Sequence, residues 1–489
     1  AFCFNSNVVR TPISVKDKNS LINGFTLPLE DCDAWRRYGV PLSTTSNTAC
    51  KMYDAALTQY VGWFDDESAG GVENTFKQML DADPNFVMGH AMMNGMQMLS
   101  GSKTPRLDPE FKARIDHMVT LAEKNGITEA EREHVKAVQL AAEGHLEKAF
   151  LTWDDIVMEN PRDLLAIKAG FSACFLLSAH QQMRDIVARA MSSWTPDMPN
   201  YNYLHGMLAF GLEEMNLHKD AESACRKSLE LNQNDGWATH ILSHVLEDVG
   251  RIEEVNQMMG STENNWTKCS MISTHNYWHW ALYHIEKGNY EAAFGIHDKY
   301  IVPRLKGEDN LLHLNDAASL LMRLEMEGKS VGDRWNDAYE RSKTHTDDHI
   351  NAFYDAHLLW SLVGSKQMDT AQRMMQSLEE FINKDKGYNS SIVKETGMSV
   401  YKSIMAYGEG DYAGTVRLLY PVRYDIIRMG GSHAQRDIFQ LFLINAALKS
   451  PERQHRQLAR QLVLERKSTK EHTPLTERLV AKTLAHHAD

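Results

Sequence analysis

The sequence repeats a helix–turn–helix pattern, and this repetition limits the possible folds more than any other feature. In the clearest unit, an amphipathic helical pattern stops at Gly144, resumes with Ala149 and ends at Pro161. Small residues let two helices approach closely, and proline stops the second helix because the residue before a proline disfavours α geometry. The unit therefore predicts two packed helices joined by a short turn.

The same turn recurs along most of the chain. Successive turns lie 72, 34, 38, 76 and 46 residues apart, and the two long intervals equal about two units each. A period near 34 residues is the signature of tetratricopeptide (TPR) repeats. We therefore predict an all-α fold, an α-solenoid of about eight TPR-like helix-turn-helix repeats. The turns after Gly144 are at Asn216, Gly250, Gly288, Gly364 and Gly410, and an earlier copy spans 71–84.

The extent of the repeats divides the chain into three regions. Residues 1–40 lack the pattern and are predicted to form an irregular N-terminal arm. Residues 41–450 are predicted to form the TPR-like solenoid, since they contain no long segment with strand periodicity and no low-complexity linker. Residues 451–489 are predicted to form C-terminal capping helices, because the end of a solenoid must cover its last apolar face.

Composition argues against several classes of protein. The chain has 489 residues, 43% of them hydrophobic, and a formal net charge of −13. This charge disfavours binding to nucleic acid or to an anionic membrane, and no apolar run approaches the ~20 residues that span a bilayer. The six cysteines include no CxxC pair, which favours reduced thiols in a cytoplasmic protein. Homo-oligomerisation through the solenoid ends stays open.

Several motifs along the chain are more specific than the repeat. They are PLSTTSN at 41–47, DPNFVMGH at 83–90, MRD at 183–185 with WTPD at 194–197, HNYWHWAL at 275–282, SVG at 330–332, GGS at 430–432 with AQRD at 434–437, and PLTERL at 474–479. Together these motifs resemble the tetratricopeptide repeat protein 38 family over nearly the whole chain from about residue 31. The resemblance implies an all-helical TPR-like fold and a cytosolic setting. It implies no activity that can be assigned to particular residues.

The first helix of each TPR pair lines the concave face of a solenoid, in a register that is carried over here from TPR proteins in general. In the repeats that end at Asn216, Gly250 and Gly288, this register places aromatic and histidine side chains inward. His279 and His284 fall at positions that point more towards the core. The predicted groove-binding residues are Tyr203, Phe210, Trp237, His240, His244, His275 and Trp278.

The spacing of four histidines has a chemical interpretation. His240 and His244 are four residues apart, as are His275 and His279, so each pair shares one helix face. Two such imidazoles and a third from the next helix can hold a divalent metal, and His240, His244 and His275 are the candidates. Neither pair forms an HExxH motif, so we predict no cofactor and keep a metal as the alternative. The same three histidines are the candidate catalytic residues of a metal-free acid–base site.

Two functional hypotheses follow. The first is a TPR-like scaffold or binding protein that holds a peptide, a protein or a small apolar ligand in the concave groove. The second is an enzyme or small-ligand carrier with a histidine site in an enclosed groove, where Glu247 or Glu286 would act as a base or orient a ligand. The sequence contains no nucleophile elbow, P-loop or dinucleotide motif, which argues against an enzyme. An open groove favours the first hypothesis, and a closed superhelix favours the second.

The adjacent residues Ser432 and His433, with Arg436 and Asp437 nearby, resemble a catalytic cluster only superficially. Neighbouring residues on one helical turn do not face each other, so Ser432 and His433 are poorly placed to react together. Ser432 follows two glycines and precedes a helical pattern. We therefore predict that Ser432 caps the start of a helix.

Overall fold

The fold was analysed in a computed structural model, which describes residues 29–101, 103–470 and 472–485. The described residues form helices, turns and coil, and no strand occurs among them, which confirms the all-α prediction. Most of the predicted arm, residues 1–28, lies outside the described residues. The rest of it contains one helix, α1 (Cys32–Tyr38).

The helices pack mainly against their neighbours in the chain, as expected for a solenoid. None of them is long and apolar enough to cross a membrane. The first half contains α2 (Asn47–Gly62), α3 (Gly71–Ala82), α4 (Val87–Leu99), α5 (Pro109–Ala122), α6 (Glu129–Ala142), α7 (Leu146–Glu159), α8 (Leu164–Leu176), α9 (His180–Met191), α10 (Tyr201–Glu213), α11 (His218–Leu231), α12 (Gly236–Asp248), α13 (Ile252–Ser261) and α14 (Glu263–Trp266). The second half contains α15 (Ser270–Glu286), α16 (Tyr290–Ile296), α17 (Val302–Gly307), α18 (Leu311–Met326), α19 (Trp335–Ser342), α20 (Ala352–Gly364), α21 (Met368–Lys384), α22 (Tyr388–Ile392), α23 (Met398–Gly408), α24 (Tyr412–Leu419), α25 (His433–Lys449), α26 (Arg453–Thr469) and α27 (Pro474–Ala485).

Five of the predicted turns are held by one residue with left-handed backbone geometry. Gly144, Gly250, Gly288 and Gly410 have φ values between 75° and 83°, and Asn216 has a φ of 58°. Glycine adopts this region without steric cost and asparagine tolerates it, which explains why these residue types end the first helix. The turns connect α6 to α7, α12 to α13, α15 to α16, α23 to α24 and α10 to α11.

Two further turns divide the long intervals of the sequence pattern. Ser178, with a φ of 54°, lies between α8 and α9, and Gly328, with a φ of 80°, lies between α18 and α19. Each long interval therefore contains two helix pairs, as predicted. The turn at Ser178 has no glycine or asparagine to reveal it in the sequence.

The turn predicted at Gly364 is displaced by two residues. Gly364 is the last residue of α20, and the left-handed residue is Lys366, with a φ of 62°. A Cβ atom at Gly364 would lie 2.3 Å from Cε2 of Trp335, so this glycine lets α20 approach a tryptophan. The small residue here serves helix packing, and the turn itself is made by another residue.

The first helix of most pairs lies inside the molecule and the second lies outside. Nearly every residue of the inner helices α12 and α18 is buried, including polar ones. In the outer helix α11, by contrast, the buried residues are Ala221, Cys225 and Ser228. A helix that is covered on every face must be surrounded by other helices, which indicates that the solenoid closes on itself.

Contacts between distant parts of the chain close the superhelix. Trp63, which follows α2, stacks on Trp237 of α12 with ring centroids 4.9 Å apart. Glu214, which follows α10, accepts a hydrogen bond from Arg436 of α25 at 2.9 Å. The helical C-terminal cap consists of α26 and α27, and α27 packs against α15. The inner face of the solenoid is therefore covered by the chain itself.

Close packing of α10 against α9 requires a glycine, and replacing it should destabilise the fold. A Cβ atom at Gly211 would lie 2.6 Å from the Cα atom of Arg184, a backbone atom that cannot move aside. We expect Gly211→Ala to lower the free energy of unfolding by about 1–3 kcal/mol in urea denaturation. Gly295→Ala in α16 is the control, because no atom lies within 4 Å of its Cβ position. Equal stability of the two variants would contradict the prediction.

Candidate functional site

Two inner helices carry the histidines that the sequence singles out. The carboxylate of Asp235 caps the start of α12 by accepting a backbone hydrogen bond at 2.9 Å. His240 and His244 lie one turn apart on α12, and α15 carries His275 and His279 with the same spacing. Because α12 and α15 pack against each other, the two pairs of imidazoles meet in the interior.

His240, His244 and His279, which we call the histidine trio, form the centre of the site. One ring nitrogen of each lies within 4.8 Å of a ring nitrogen of the other two. Nε2 of His244 is 3.1 Å from Nε2 of His279. The structure thus places both candidates on α12 beside His279 and not beside the predicted His275. The repeat register had placed His279 at a position that points more towards the core.

Hydrogen bonds on the outer side fix the orientation of two rings of the trio. Nδ1 of His240 is 3.1 Å from Oδ1 of Asn276, whose amide nitrogen donates to a backbone carbonyl. Nδ1 of His279 is 3.3 Å from the hydroxyl of Tyr283, which donates its own hydrogen to Ser243 Oγ at 2.8 Å. Both partners accept from an Nδ1–H group, so Nε2 of each ring carries a lone pair.

A buried carboxyl group lies behind the third ring of the trio. Oε1 of Glu213, at the end of α10, is 3.4 Å from Nδ1 of His244. Neither carboxyl oxygen of Glu213 has a hydrogen-bond partner among the residues that the structure describes. Burial, and then the charges of Glu214 and Asp248, raise the pKa of Glu213 well above its ordinary value.

His275 borders the trio but is bound to another partner. Its Nδ1 is 2.8 Å from Oδ1 of Asp316 on α18. Its ring stacks on Trp278, with centroids 5.0 Å apart, and its centroid is 4.8 Å from that of His279. It is not one of the three histidines whose nitrogens converge.

The predicted groove residues do not line an open surface. All of them are at most 8% exposed, because α2 and the C-terminal helices cover the inner face. Trp237 stacks on His240, and Phe210 contacts the rings of both Trp237 and His244. Tyr203 instead faces Gly62 of α2. Of the two alternatives, the closed superhelix is therefore observed and not the open groove, and the enclosed interior contains Tyr203, Phe210, Trp237, His240, His244, His275 and Trp278.

Burial keeps the histidine trio uncharged. It lowers the pKa of His244 to about 4. Burial and the neighbouring imidazoles lower the pKa values of His240 and His279 well below the ordinary histidine range. A general acid or base needs a pKa close to the working pH, so a metal-free acid–base role near neutrality has little support. Neutral imidazole is, however, the form that binds metals.

A cavity of about 50 Å³, which we call the chamber, adjoins the trio, and the empty space rises to about 700 Å³ when the opening to solvent is included. It lies between α12, α15, α18, α25 and α27, and His279 and Tyr283 form part of its wall. The chamber therefore lies beside His279, one of the three histidines of the trio. Its apolar wall consists of Leu282, Ile285, Met326, Ala434, Leu441, Leu448, Leu475 and Leu479.

The cationic side chains in the chamber wall are paired with its carboxylates. Every lysine and arginine that lines the chamber contacts a carboxylate of the wall, and these contacts join helices from distant parts of the chain. Among the described residues, no lysine or arginine side chain of the chamber wall is therefore left without a carboxylate partner. The pairs are Lys470–Glu247, Arg323–Asp437 and Lys482–Glu327, with shortest nitrogen–oxygen distances of 2.6, 3.1 and 2.8 Å.

Glu247 and Glu286, which the sequence suggested as a base or an orienting group, have other partners. Glu247 accepts from Lys470, and Glu286 Oε2 accepts from the backbone nitrogen of Leu475 at the start of α27 at 2.9 Å. Burial raises the pKa of Glu247, and the Lys470 ammonium opposes this shift. Both residues line the chamber and fasten the C-terminal cap to the inner helices.

A second group of potential metal ligands comprises His180, Glu214 and His433. Its carboxylate already has a cation beside it, because Arg436 donates to Glu214 Oε2 at 2.9 Å. A further ion is therefore not needed to neutralise Glu214. Ser432 forms a capping box at the start of α25, which confirms its predicted role as a helix cap.

Sequence reasoning missed the residues that surround the trio. Tyr283 lies four residues after His279, so the helical periodicity of α15 could have predicted that the two side chains share one face. Asn276 directly follows His275, but its contact is with α12. Glu213 and Lys470 come from other helices, and no local pattern connects them with the histidines.

No protein-family model matches the chain. Among solved structures, the human IFIT1 dimer with m7Gppp-AAAA is similar, with 13% sequence identity and a TM-score of 0.36, over 97% of this chain and 100% of that chain. A likeness of this degree carries no conclusion about function. Membership of the tetratricopeptide repeat protein 38 family therefore stays a prediction from the sequence motifs.

Proposed function

We propose that this helical solenoid binds a small, uncharged organic molecule in the chamber beside the histidine trio. The chamber itself is the observation that carries the proposal, since apolar side chains form most of its wall and polar groups meet at one end. Small-molecule sites are typically concave and mainly apolar, with a few polar groups that orient the ligand. The chamber matches this description in its lining, and because its own volume is about 50 Å³, a ligand would extend from it into the opening to solvent.

The paired charges of the wall support a ligand without net charge. An ionic ligand would compete with a pair such as Lys470–Glu247 and leave one member buried without a partner. Breaking a buried ion pair in this way costs about 3–5 kcal/mol. A molecule with an apolar body, and one polar end directed towards His279 and Tyr283, makes no such demand.

A peptide or protein partner on the concave face has less support. An extended segment could reach the predicted groove residues only if the superhelix opened, with loss of the stacking between Trp63 and Trp237 and of the Glu214–Arg436 ion pair. The enclosed interior therefore favours a small ligand over a macromolecule at this site.

Filling the chamber should abolish ligand binding without unfolding the protein. Ala434 lies in the wall, and Ala434→Phe would place a ring inside the chamber. Nile red, an uncharged dye that fluoresces in apolar surroundings, serves as the probe. We expect saturable binding of about one dye per wild-type chain, and at least about tenfold weaker binding by the variant, which corresponds to ~1.4 kcal/mol.

The control is Ala113→Phe, which adds the same ring on the exposed side of α5. It should bind the dye as the wild type does. Circular dichroism would show whether both variants keep their helical content. Equal dye binding by all three proteins would place the dye outside the chamber and contradict the proposed function, as would an absence of saturable binding by the wild type.

A further inference from the structure

The geometry points to a mononuclear transition-metal site of the zinc type, with His240, His244 and His279 as its protein ligands. The site is distinct from the ligand chamber, although His279 belongs to both. It does not depend on the proposed function, because the three ring nitrogens converge whether or not a molecule occupies the chamber.

The spacing of the ring nitrogens suits a single ion. Zinc binds imidazole nitrogen at about 2.0–2.1 Å, so two nitrogens on a tetrahedral ion are about 3.3 Å apart. Nε2 of His244 and Nε2 of His279 are 3.1 Å apart, and a nitrogen of His240 lies within 4.8 Å of both ligand atoms. Binding of one ion would require the His240 ring to move until its nitrogen is also about 3.3 Å from the other two.

The outer hydrogen bonds prepare the rings for a metal. Asn276 and the Tyr283 hydroxyl accept from Nδ1 of His240 and His279, and this leaves Nε2 of both rings with a lone pair. Such outer partners fix the tautomer and the orientation of metal-binding histidines. If His244 likewise directs Nδ1–H towards Glu213, two lone pairs meet at 3.1 Å, which is unfavourable unless a cation lies between them.

Glu213 provides an independent observation. Its side chain is completely buried, and neither of its oxygens is hydrogen-bonded to a residue of the described chain. A buried carboxyl group without a hydrogen-bond partner is costly in free energy. A divalent ion bound to Nε2 of His244 would fix this ring so that Nδ1–H is directed at Glu213, in the carboxylate–histidine–metal arrangement that is common around zinc. By contrast, the carboxylate of the neighbouring Glu214 accepts a hydrogen bond from Arg436.

The ligand set indicates the class of metal. Three neutral imidazoles favour zinc and other late first-row metals, whereas magnesium and calcium prefer oxygen ligands. Three protein ligands also leave one coordination position for water or for another molecule, as in catalytic zinc sites. A metal here would lie beside the chamber, within reach of the polar end of a ligand that enters it.

Metal analysis of untagged protein tests the proposal directly. Elemental analysis by mass spectrometry should find about one zinc ion per chain. After removal of zinc with a chelator, titration with Co²⁺ should produce the visible absorption of a four-coordinate nitrogen site that saturates at one equivalent. The Co²⁺ spectrum needs only the wild-type chain, so it decides the question even if a variant does not fold.

Variants then test which residues are the ligands. His240→Ala, His244→Ala and His279→Ala should each lose the zinc and the Co²⁺ spectrum, and Asn276→Ala should bind about 10–100-fold more weakly. The matched control is His357→Ala on α20, since His357 is equally buried and bonds a backbone carbonyl. It should keep the metal.

Two results would overturn the metal site. One is wild-type protein that contains no metal and gives no Co²⁺ spectrum, which would identify the trio as a hydrogen-bonded network with a proton between His244 and His279. The other is retention of metal by all three alanine variants. Failure of the proposed function is distinguishable, because Ala434→Phe changes the dye binding and leaves the metal ligands intact.

Discussion

Replacement of Asp437 by alanine is expected to lower the free energy of unfolding by about 3–5 kcal/mol. Asp437 on α25 accepts from Arg323 of α18 at 3.1 Å and from Arg466 of α26. Both arginines are at most 5% exposed. Without the carboxylate, two guanidinium groups would remain buried with only neutral partners, such as Ala434 O for Arg323.

The pKa of Asp437 shows how firmly its charge is held. Burial raises the pKa of this carboxyl, but Arg466, Lys470 and Arg323 outweigh burial and hold it well below the ordinary range. A depressed carboxyl pKa stabilises the fold above the pKa of the unfolded chain, near 4, and this stabilisation is lost as the pH falls further. The difference between wild type and Asp437→Ala should therefore be constant above about pH 4 and shrink below it.

Urea denaturation followed by circular dichroism at pH 7 measures the effect. Asp116→Ala is the control, because Asp116 forms an ion pair with Lys112 on the exposed face of α5. An exposed pair contributes about 1 kcal/mol or less, so this variant should resemble the wild type. A loss below about 1 kcal/mol for Asp437→Ala would mean that the two arginines find other partners or reach water.

Replacement of Lys168 by methionine is expected to have the opposite effect and to stabilise the protein by about 2–4 kcal/mol at pH 7. Lys168 on α8 is 1% exposed, and its ammonium lies over the rings of Trp63 and Tyr60 at 4.3 and 5.0 Å from their centroids. Among the described residues Lys168 forms no ion pair, and Asp235 opposes the effect of burial on it only in part. Burial lowers the pKa of Lys168 to about 7.

The sign of the pH dependence follows from this shift. Between about pH 7 and 10.5, the unfolded chain binds a proton at Lys168 that the folded chain has released, so wild-type stability rises with pH across this window. Methionine cannot titrate and has nearly the same shape. The advantage of Lys168→Met should therefore be largest at or below pH 7 and should decline towards pH 10.

Urea denaturation at pH 6 and at pH 9 tests this prediction. Lys402→Met is the control, since Lys402 lies on the exposed side of α23 and should change stability little at either pH. If Lys168→Met were less stable than the wild type at pH 6, the charge of Lys168 would be stabilising in the aromatic surroundings. The cation–π contacts with Trp63 and Tyr60 would then outweigh the cost of burying the ammonium.

The helix pairs and most of their turns could be predicted from the sequence, because both are local properties of the chain. Gly144, Gly250 and Gly288 mark turns that only a residue tolerant of left-handed geometry makes easily, and the spacing between them reveals the period. The pairing of His240 with His244 is also local, since residues four apart share a helix face. The turn at Ser178 escaped prediction because its residue type carries no such signal.

Only the tertiary structure decided what those helices enclose. Each helix pair is rotated slightly relative to the one before, and the sum of these rotations determines whether the inner face stays open or closes. Closure buried the predicted groove, selected His279 instead of His275 beside the pair on α12, and brought Lys470 to Glu247. The sequence alone determined a solenoid with histidines on its inner helices, whereas contacts between residues far apart in the chain made their surroundings a closed interior with a chamber.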